Sequence, residues 1–207
     1  MKAVAVLSGG LDSTVSLAAA ARKLDVVLAL TFDYGQRAAR REREASAKIA
    51  KHYRIPHRVI ALPWLAGITT TALVDRAARL PKHEMSVRSA KAVWVPNRNG
   101  VFLEIAAAHA ESLGAKRILT GFNREEAATF PDNSKAYVRA INRALSFSTA
   151  NGVEAVSYTA DLDKRGIVRL GRKLGAPIDA VWPCYEGGRR WCGSCESCLR
   201  SLRALDA

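Results

Sequence analysis

The heptapeptide Ser8-Gly9-Gly10-Leu11-Asp12-Ser13-Thr14 constrains this chain more than any other stretch, because it lies between two runs of opposite local preference. Val4, Ala5, Val6 and Leu7 form a short apolar run of the kind a buried parallel strand shows, and Leu17 to Ala21 favours helix. The heptapeptide therefore reads as a strand-to-helix turn. Two adjacent glycines let the backbone approach a ligand and aim successive N–H groups at one point, while the following helix adds the positive end of its dipole. That combination binds phosphate. The spacing is neither that of a Walker A loop nor that of the dinucleotide fingerprint. A plain tight turn with a Ser or Asp cap is the competing reading of these residues alone.

Downstream, Val26 to Phe32 predicts a second strand buried on both faces, ending in Asp33-Tyr34-Gly35-Gln36. Arg37 to Tyr53 predicts a helix with Arg40/Glu44 and Glu44/Lys48 pairs, whose basic face is either a solvated surface or a phosphate or RNA surface. A third strand follows at His57 to Leu62. Residues 63–92 show weak periodicity and read either as an excursion over the site or as a partly mobile segment. Val93 to Gly100 marks a turn before a helix over 101–113, with Arg98 either reaching an anion or exposed beside an Asn cap. A strand over 116–121 leads into the loop 124–133, which carries Glu125, Glu126 and Asp132. Carboxylates there suit Mg²⁺ or an amino group of a base, and Asp132 alternatively sits near a helix N-cap. Another helix over about 134–150, a strand over 153–158 and a helix over 163–174 closed by Gly175 complete the alternation.

This order predicts an α/β fold with a doubly wound, mostly parallel five-stranded sheet and helices on both faces. Ligands in such sheets bind beyond the carboxyl ends of the strands, so Ser8 to Ser13 and Asp33 to Gln36 converge on one crevice.

The last 25 residues differ in kind. All four cysteines lie there, as Cys184, Cys192, Cys195 and Cys198, separated by glycines and a serine small enough to fold around an ion. Four thiolates in this reach suit a structural tetrahedral Zn²⁺; a Cys192/Cys195 redox pair would leave Cys184 and Cys198 unexplained. The expected organisation is a domain over 1–182 with a zinc-binding tail over 183–207 packed on it. A net charge of +13 points to anionic partners without choosing among nucleotides, phosphates and RNA. No apolar run approaches the ~20 residues of a membrane span, and Met1-Lys2 leads directly into the first strand, so a cytoplasmic protein is expected.

Taken together, these stretches carry a resemblance. Ser8 to Ser13 resembles the loop of the PP-loop ATP pyrophosphatase superfamily. Phe32-Asp33-Tyr34-Gly35-Gln36-Arg37, Val95-Pro96-Asn97-Arg98-Asn99, Phe130-Pro131-Asp132, Cys184-Tyr185-Glu186-Gly187-Gly188 and Cys192 to Cys198 are similar, in the same order, to the 7-cyano-7-deazaguanine synthase family. The resemblance implies a ligase that activates 7-carboxy-7-deazaguanine with ATP and joins it to ammonia, through an amide, to give the nitrile of queuosine biosynthesis. It implies ATP at Leu7, Ser8, Gly9, Gly10, Leu11, Asp12, Ser13 and Thr14, with Mg²⁺ at Asp12 or Asp33. Asp12, Ser13 and Arg98 become catalytic candidates; Tyr34, Gln36, Arg98, Glu126, Phe130 and Asp132 become substrate candidates, Asp132 as acceptor for the guanine-like N–H edge. One Zn²⁺ per chain and a homodimer complete the expectation, with the deazaguanine acid and ammonia as partners, no membrane, and nucleic acid left open by the charge of +13.

One loop departs from the family. Where its members usually carry Asp-x-Ser-Gly-Tyr-Pro-Asp-Cys-Arg, this chain has Glu126-Ala127-Ala128-Thr129-Phe130-Pro131-Asp132-Asn133-Ser134. The acidic residue is kept as Glu126, and the tyrosine hydroxyl and Cys-Arg ending are lost. Two alternatives stay open on that ground and on the charge: a paralogue activating a related deazapurine for another amine, or a tRNA-modifying PP-loop ATPase.

Overall fold

The computed structural model describes residues 1–84 and 86–206. Five strands, β1 (Lys2–Val6), β2 (Asp25–Asp33), β3 (His57–Ala61), β4 (Arg117–Thr120) and β5 (Glu154–Ser157), form a parallel sheet in the order β3-β2-β1-β4-β5. The expected doubly wound sheet is present, with every pairing in it parallel. The chain runs outward from β1 in one direction and resumes at β4 in the other, so the reversal of strand order falls between β1 and β4. The crevice of such a sheet opens there.

The side-chain alternation of the strands divides the core. Val4, Leu30 and Ile118 face a layer containing Leu103, Ala106 and Ala107 of α5 (Arg98–Ser112) and Leu145 of α7 (Lys135–Ser148). Ala3, Ala5, Ala29 and Leu119 face the other way, against Leu17 and Ala20 of α1 (Leu11–Ala20) and Ile49 and Ala50 of α2 (Ala39–His52). Small residues on this second face let α1 and α2 approach closely. A further layer stacks α8 (Lys164–Leu174) on α1 and α9 (Glu196–Leu205) on α8, through Val15, Ile167, Val168 and Ala204.

The sequence expectations hold best where periodicity is strong. Helix α8 starts after Asp163, whose carboxylate caps Gly166 N at 2.7 Å, and ends at Gly175 with φ +66°. Elsewhere the structure corrects them. The stretch 63–92 contains two short helices, α3 (Pro63–Gly67) and α4 (Val87–Ala92), the second with a capping box between Ser86 and Ser89. Helix α5 begins at Arg98 rather than 101, so Arg98 occupies its first turn. Short α6 (Arg124–Ala127) interrupts the expected loop, and Ser134, not Asp132, caps α7 by accepting from Tyr137 N at 3.1 Å.

Among the described residues no helix is long and apolar enough to cross a membrane. The tail leaves the sheet across the glycine turn, with Trp182 N donating to Gly9 O at 2.7 Å, and is tied to the 63–92 stretch by His83 N donating to Ser194 O at 2.7 Å.

Candidate active site

The turn after β1 is shaped by contacts that only glycine admits. Gly9 has φ +75°, and a Cβ there would come within 2.8 Å of Glu42 O on α2. Gly121, just after β4, packs so closely that a Cβ would meet Ser13 N at 2.4 Å and Ser13 Cα at 2.7 Å. These two contacts, one with α2 and one with the segment after β4, hold the turn closely. No side chain caps the N-terminus of α1, which leaves its first N–H groups available to an anion. Ser8 and Ser13 hydroxyls lie 3.1 Å apart, and Ser13 Oγ donates to Gly10 O at 3.2 Å. Thr14 turns away, its hydroxyl donating to Gly10 O at 2.7 Å, and neither Thr14 nor Gly9 is among the residues lining the cavity.

That cavity, of about 230 Å³, lies beyond the strand ends and is lined by Ser8, Gly10, Leu11, Asp12 and Ser13 on one side. Beside them stands Lys164, the first residue of α8 and only 4 % exposed. Its ammonium bridges Asp12 Oδ2 and Glu126 Oε1, the latter at 2.7 Å. Burial pushes the Asp12 carboxyl up to about 6 against the pull of Lys164. At Glu126 burial also works upward, but Lys164, joined by Arg200 and Arg98, outweighs it and holds the carboxyl below its ordinary value. Burial disfavours a charged Lys164, yet the two carboxylates prevail and keep it protonated. Asp12 Oδ1 is buried with no hydrogen-bond partner among the described residues. An orphaned, buried carboxylate oxygen beside an uncapped helix terminus fits a divalent cation accompanying phosphate. Asp33 fits less well: it is paired with Arg43 at 3.2 Å, accepts from Gly35 N at 3.2 Å, and does not line the cavity.

The opposite wall is aromatic. Phe32 and Phe102 stack with centroids 4.1 Å apart, and Tyr34 leans on Phe102. Arg98 donates through Nη1 to the Tyr34 hydroxyl at 3.2 Å and lies 5.7 Å from its ring centroid. Burial would disfavour its charge, but Tyr34 and Asp132 more than offset this. Gln36 is fully engaged: it accepts from Tyr34 N at 2.9 Å and donates to Phe32 O at 3.0 Å and Glu42 Oε2 at 2.7 Å. Phe130 lines the cavity and is parallel to Trp94. Asp132 stands behind the wall, accepting from Asn99 at 2.8 Å and Asn133 at 3.1 Å, and it is these two asparagines that face the cavity.

Three residues with a part in this geometry have no signal in the sequence: Lys164 begins an amphipathic helix, Glu42 lies on a basic one, and Arg200 lies in the tail. A buried lysine becomes visible only once α8 is packed against α1.

The sulfur atoms of Cys184, Cys192, Cys195 and Cys198 all lie within 4.8 Å of one another, with Cys192 and Cys198 sulfurs 3.9 Å apart. A tetrahedral ion with Zn–S bonds of about 2.3 Å implies S···S separations of about 3.8 Å. The cluster is supported from outside: Glu186 N and Cys192 N each donate to Cys184 Sγ at 3.3 Å, and Cys195 N donates to Cys192 Sγ at 3.3 Å. Such N–H···S contacts orient and stabilise thiolate ligands.

Known proteins are similar to this chain along its whole length. The chain is 53% identical over 212 residues to a 7-cyano-7-deazaguanine synthase from Pelotomaculum thermopropionicum, covering 99% of this chain and 96% of the relative. It is 56% identical over 210 residues to one from Carboxydothermus hydrogenoformans, with 98% and 97% covered. At the level of fold alone it is similar to the structure of NMN synthetase from Francisella tularensis, with TM-score 0.53, 17% identity, and 94% and 69% of the two chains covered. The family described as "Queuosine biosynthesis protein QueC" matches residues 2–207, and the chain belongs to it.

Proposed function

We propose that this chain is an ATP-dependent carbon–nitrogen ligase that converts 7-carboxy-7-deazaguanine and ammonia to 7-cyano-7-deazaguanine. The observation that carries the reading is the single cavity on which the uncapped N-terminus of α1, the Asp12–Lys164–Glu126 bridge and Arg98 converge. A carboxylate is a poor electrophile, so ATP first turns one of its oxygens into a leaving group. Backbone N–H groups at Ser8 to Ser13 hold the phosphates, and Lys164 offsets charge as pyrophosphate departs. Arg98 and the Phe32/Phe102 stack hold a flat, anionic acid against that centre. Ammonia displaces AMP to give the amide, and a second activation of the amide oxygen leads to the nitrile.

Mg²⁺ would sit at Asp12, where it shields the phosphate charge. Zn²⁺ would sit on the four tail cysteines as a structural ion that braces residues 183–207. Among the described residues, Asn99 and Asn133 take the place that the sequence reading gave to Asp132 at the substrate edge. The reading extends to a cytoplasmic homodimer, for which the partly exposed Trp64 and the groove formed by Val101, Ile105, Tyr137 and Ile141 supply an apolar surface.

Incubation of the purified protein with ATP, Mg²⁺, ammonium and 7-carboxy-7-deazaguanine is expected to yield the nitrile by mass spectrometry. Accumulated amide without nitrile would instead assign a different end point to the altered loop from Glu126 to Ser134, and no acid-dependent ATP consumption would overturn the reading.

A further inference from the structure

The proposed reaction has a proton problem. At neutral pH ammonia is present as ammonium, and a nitrogen that ends as a nitrile gives up every proton it carried in. Some group in the cavity must accept them. Four carboxylates come into question, and geometry separates them. Asp12 and Glu126 share the Lys164 ammonium, and Asp132 lies behind Asn99 and Asn133. Glu42, in the first turn of α2, lines the cavity beside the glycine turn and has no Lys, Arg or His within ion-pairing distance among the described residues. One of its oxygens, Oε2, accepts from Gln36 Nε2 at 2.7 Å. Gln36 is itself pinned to Tyr34 N and Phe32 O, so the carboxylate is held in place by a fixed amide while Oε1 makes no hydrogen bond among the described residues.

Resting on the ligase reading above, we propose that Glu42 is the general base of the two C–N bond-forming steps. In the first, ammonium passes one proton to Glu42, and the freed lone pair attacks the acyl carbon of the adenylated acid. The C–O bond to AMP breaks with its electron pair, and a second proton leaves nitrogen to give the amide. In the second, the amide oxygen has been adenylated; nitrogen gives up its two remaining protons, their electron pairs become the additional C–N bonds, and the C–O bond again breaks toward AMP. Glu42 returns each proton to water between transfers, so no oxidant, reductant or further reactant is needed.

The surroundings suit a base that works near neutrality. Burial pushes the Glu42 carboxyl up to about 7, Gln36 and the Arg98 guanidinium pull it down, and Asp33 pushes it further up. Tyr34, which faces the same space, is held protonated chiefly by burial.

The test separates activation from nitrogen transfer. Acid-dependent exchange of labelled pyrophosphate into ATP, measured without ammonium, reads adenylation alone. Glu42→Gln keeps the shape of the side chain and its bond to Gln36; it is expected to retain that exchange within about threefold while losing ammonium-dependent product by about 10²-fold. The wild-type rate rises with pH through about 7 and the variant lacks that inflection. Hydroxylamine, which is neutral where ammonium is charged, narrows the deficit, and Glu42→Asp recovers part of the rate. Parallel loss of exchange and product, or undiminished ammonium-dependent turnover in Glu42→Gln, overturns the proposal. Absence of acid-dependent exchange in a wild type that still forms product overturns the adenylate route and this proposal with it, whereas absence of acid-dependent ATP consumption overturns the ligase reading itself.

Discussion

Arg200 Nη1 donates to Glu125 Oε1 at 2.9 Å, and this bond joins the helix that starts after Cys195 to the short helix carrying Glu126. The same arginine reaches back to Glu196 Oε1 at 2.7 Å, while Glu125 Oε2 accepts from Lys164 N at 3.1 Å. The cysteine tail and the Asp12–Lys164–Glu126 bridge are thus parts of one polar network. Replacing Arg200 by Met leaves the buried Glu196 carboxylate without its cation, a change of the kind that costs about 3 kcal/mol or more. Urea unfolding is expected to show that loss, and ATP affinity to fall with it. Arg200→Lys is expected to rescue little, because an ammonium cannot reproduce the forked contact to two carboxylates.

Lys164→Met removes the cation between two buried carboxylates, which then repel each other and take up a proton near neutrality. Acid-dependent ATP consumption is expected to fall by about 10²-fold or more, as when a donor to developing charge is removed. Turnover within threefold of wild type would place the lysine outside the chemistry.

The strands, the glycine turn and the cysteine spacing were legible in the sequence because each rests on a local rule: apolar runs, adjacent glycines, thiolates within reach of one ion. Lys164 and Glu42 were not, since their importance comes from what packs over them. Glu42 shares its helix with Arg40, Arg41 and Arg43, so the local charge reads as a solvated face; only in the folded chain does it line the cavity, with its carboxylate accepting from Gln36. Asp132 is the opposite case. Its motif singled it out, but Asn99 and Asn133 hold it behind the wall. Residues 63–92 were unreadable because α3 and α4 are too short to develop a periodic pattern, and the stretch is tied down by distant bonds such as His83 N to Ser194 O.

Chelation addresses the tail directly. One Zn²⁺ per chain is expected by elemental analysis, and its removal is expected to change the fluorescence of Trp182 and Trp191, which pack on the cysteine cluster. Far-UV circular dichroism from the sheet and its helices is expected to persist. Cys198→Ser is expected to reproduce the effect without chelator.

Glu42 also predicts how stability varies with pH. Its carboxyl is raised from 4.5 to about 7 by burial, so between those values the folded chain holds a proton that the unfolded chain releases. Stability therefore falls as pH rises through that window and levels off above it. Asp12, raised from 3.8 to about 6 by burial, adds a slope of the same sign at lower pH. Glu42→Gln cannot lose a proton there, so its urea midpoint is expected to gain on the wild type from pH 4.5 upward and to hold a constant lead above about 7. A lead that shrinks with rising pH would contradict the raised value.

Gly121 offers a test of the turn that leaves every polar group in place. Its φ is not positive, so alanine meets no intrinsic backbone penalty, and the whole effect of Gly121→Ala is steric. The added Cβ would lie 2.4 Å from Ser13 N and 2.7 Å from Ser13 Cα, both backbone atoms in the first turn of α1. A side chain could rotate aside, but a helix start cannot. The turn must shift by several tenths of an ångström, carrying with it the N–H groups that would hold phosphate. Overpacking of this kind costs about 1–3 kcal/mol of stability, which a fold of this size tolerates. Phosphate binding depends on aligned donors and is affected more strongly. Calorimetry is expected to show ATP affinity reduced at least tenfold in a chain that still folds cooperatively. Gly114→Ala supplies the control: that position has φ +64° and open space around it, so alanine there strains the backbone but leaves ATP affinity unchanged.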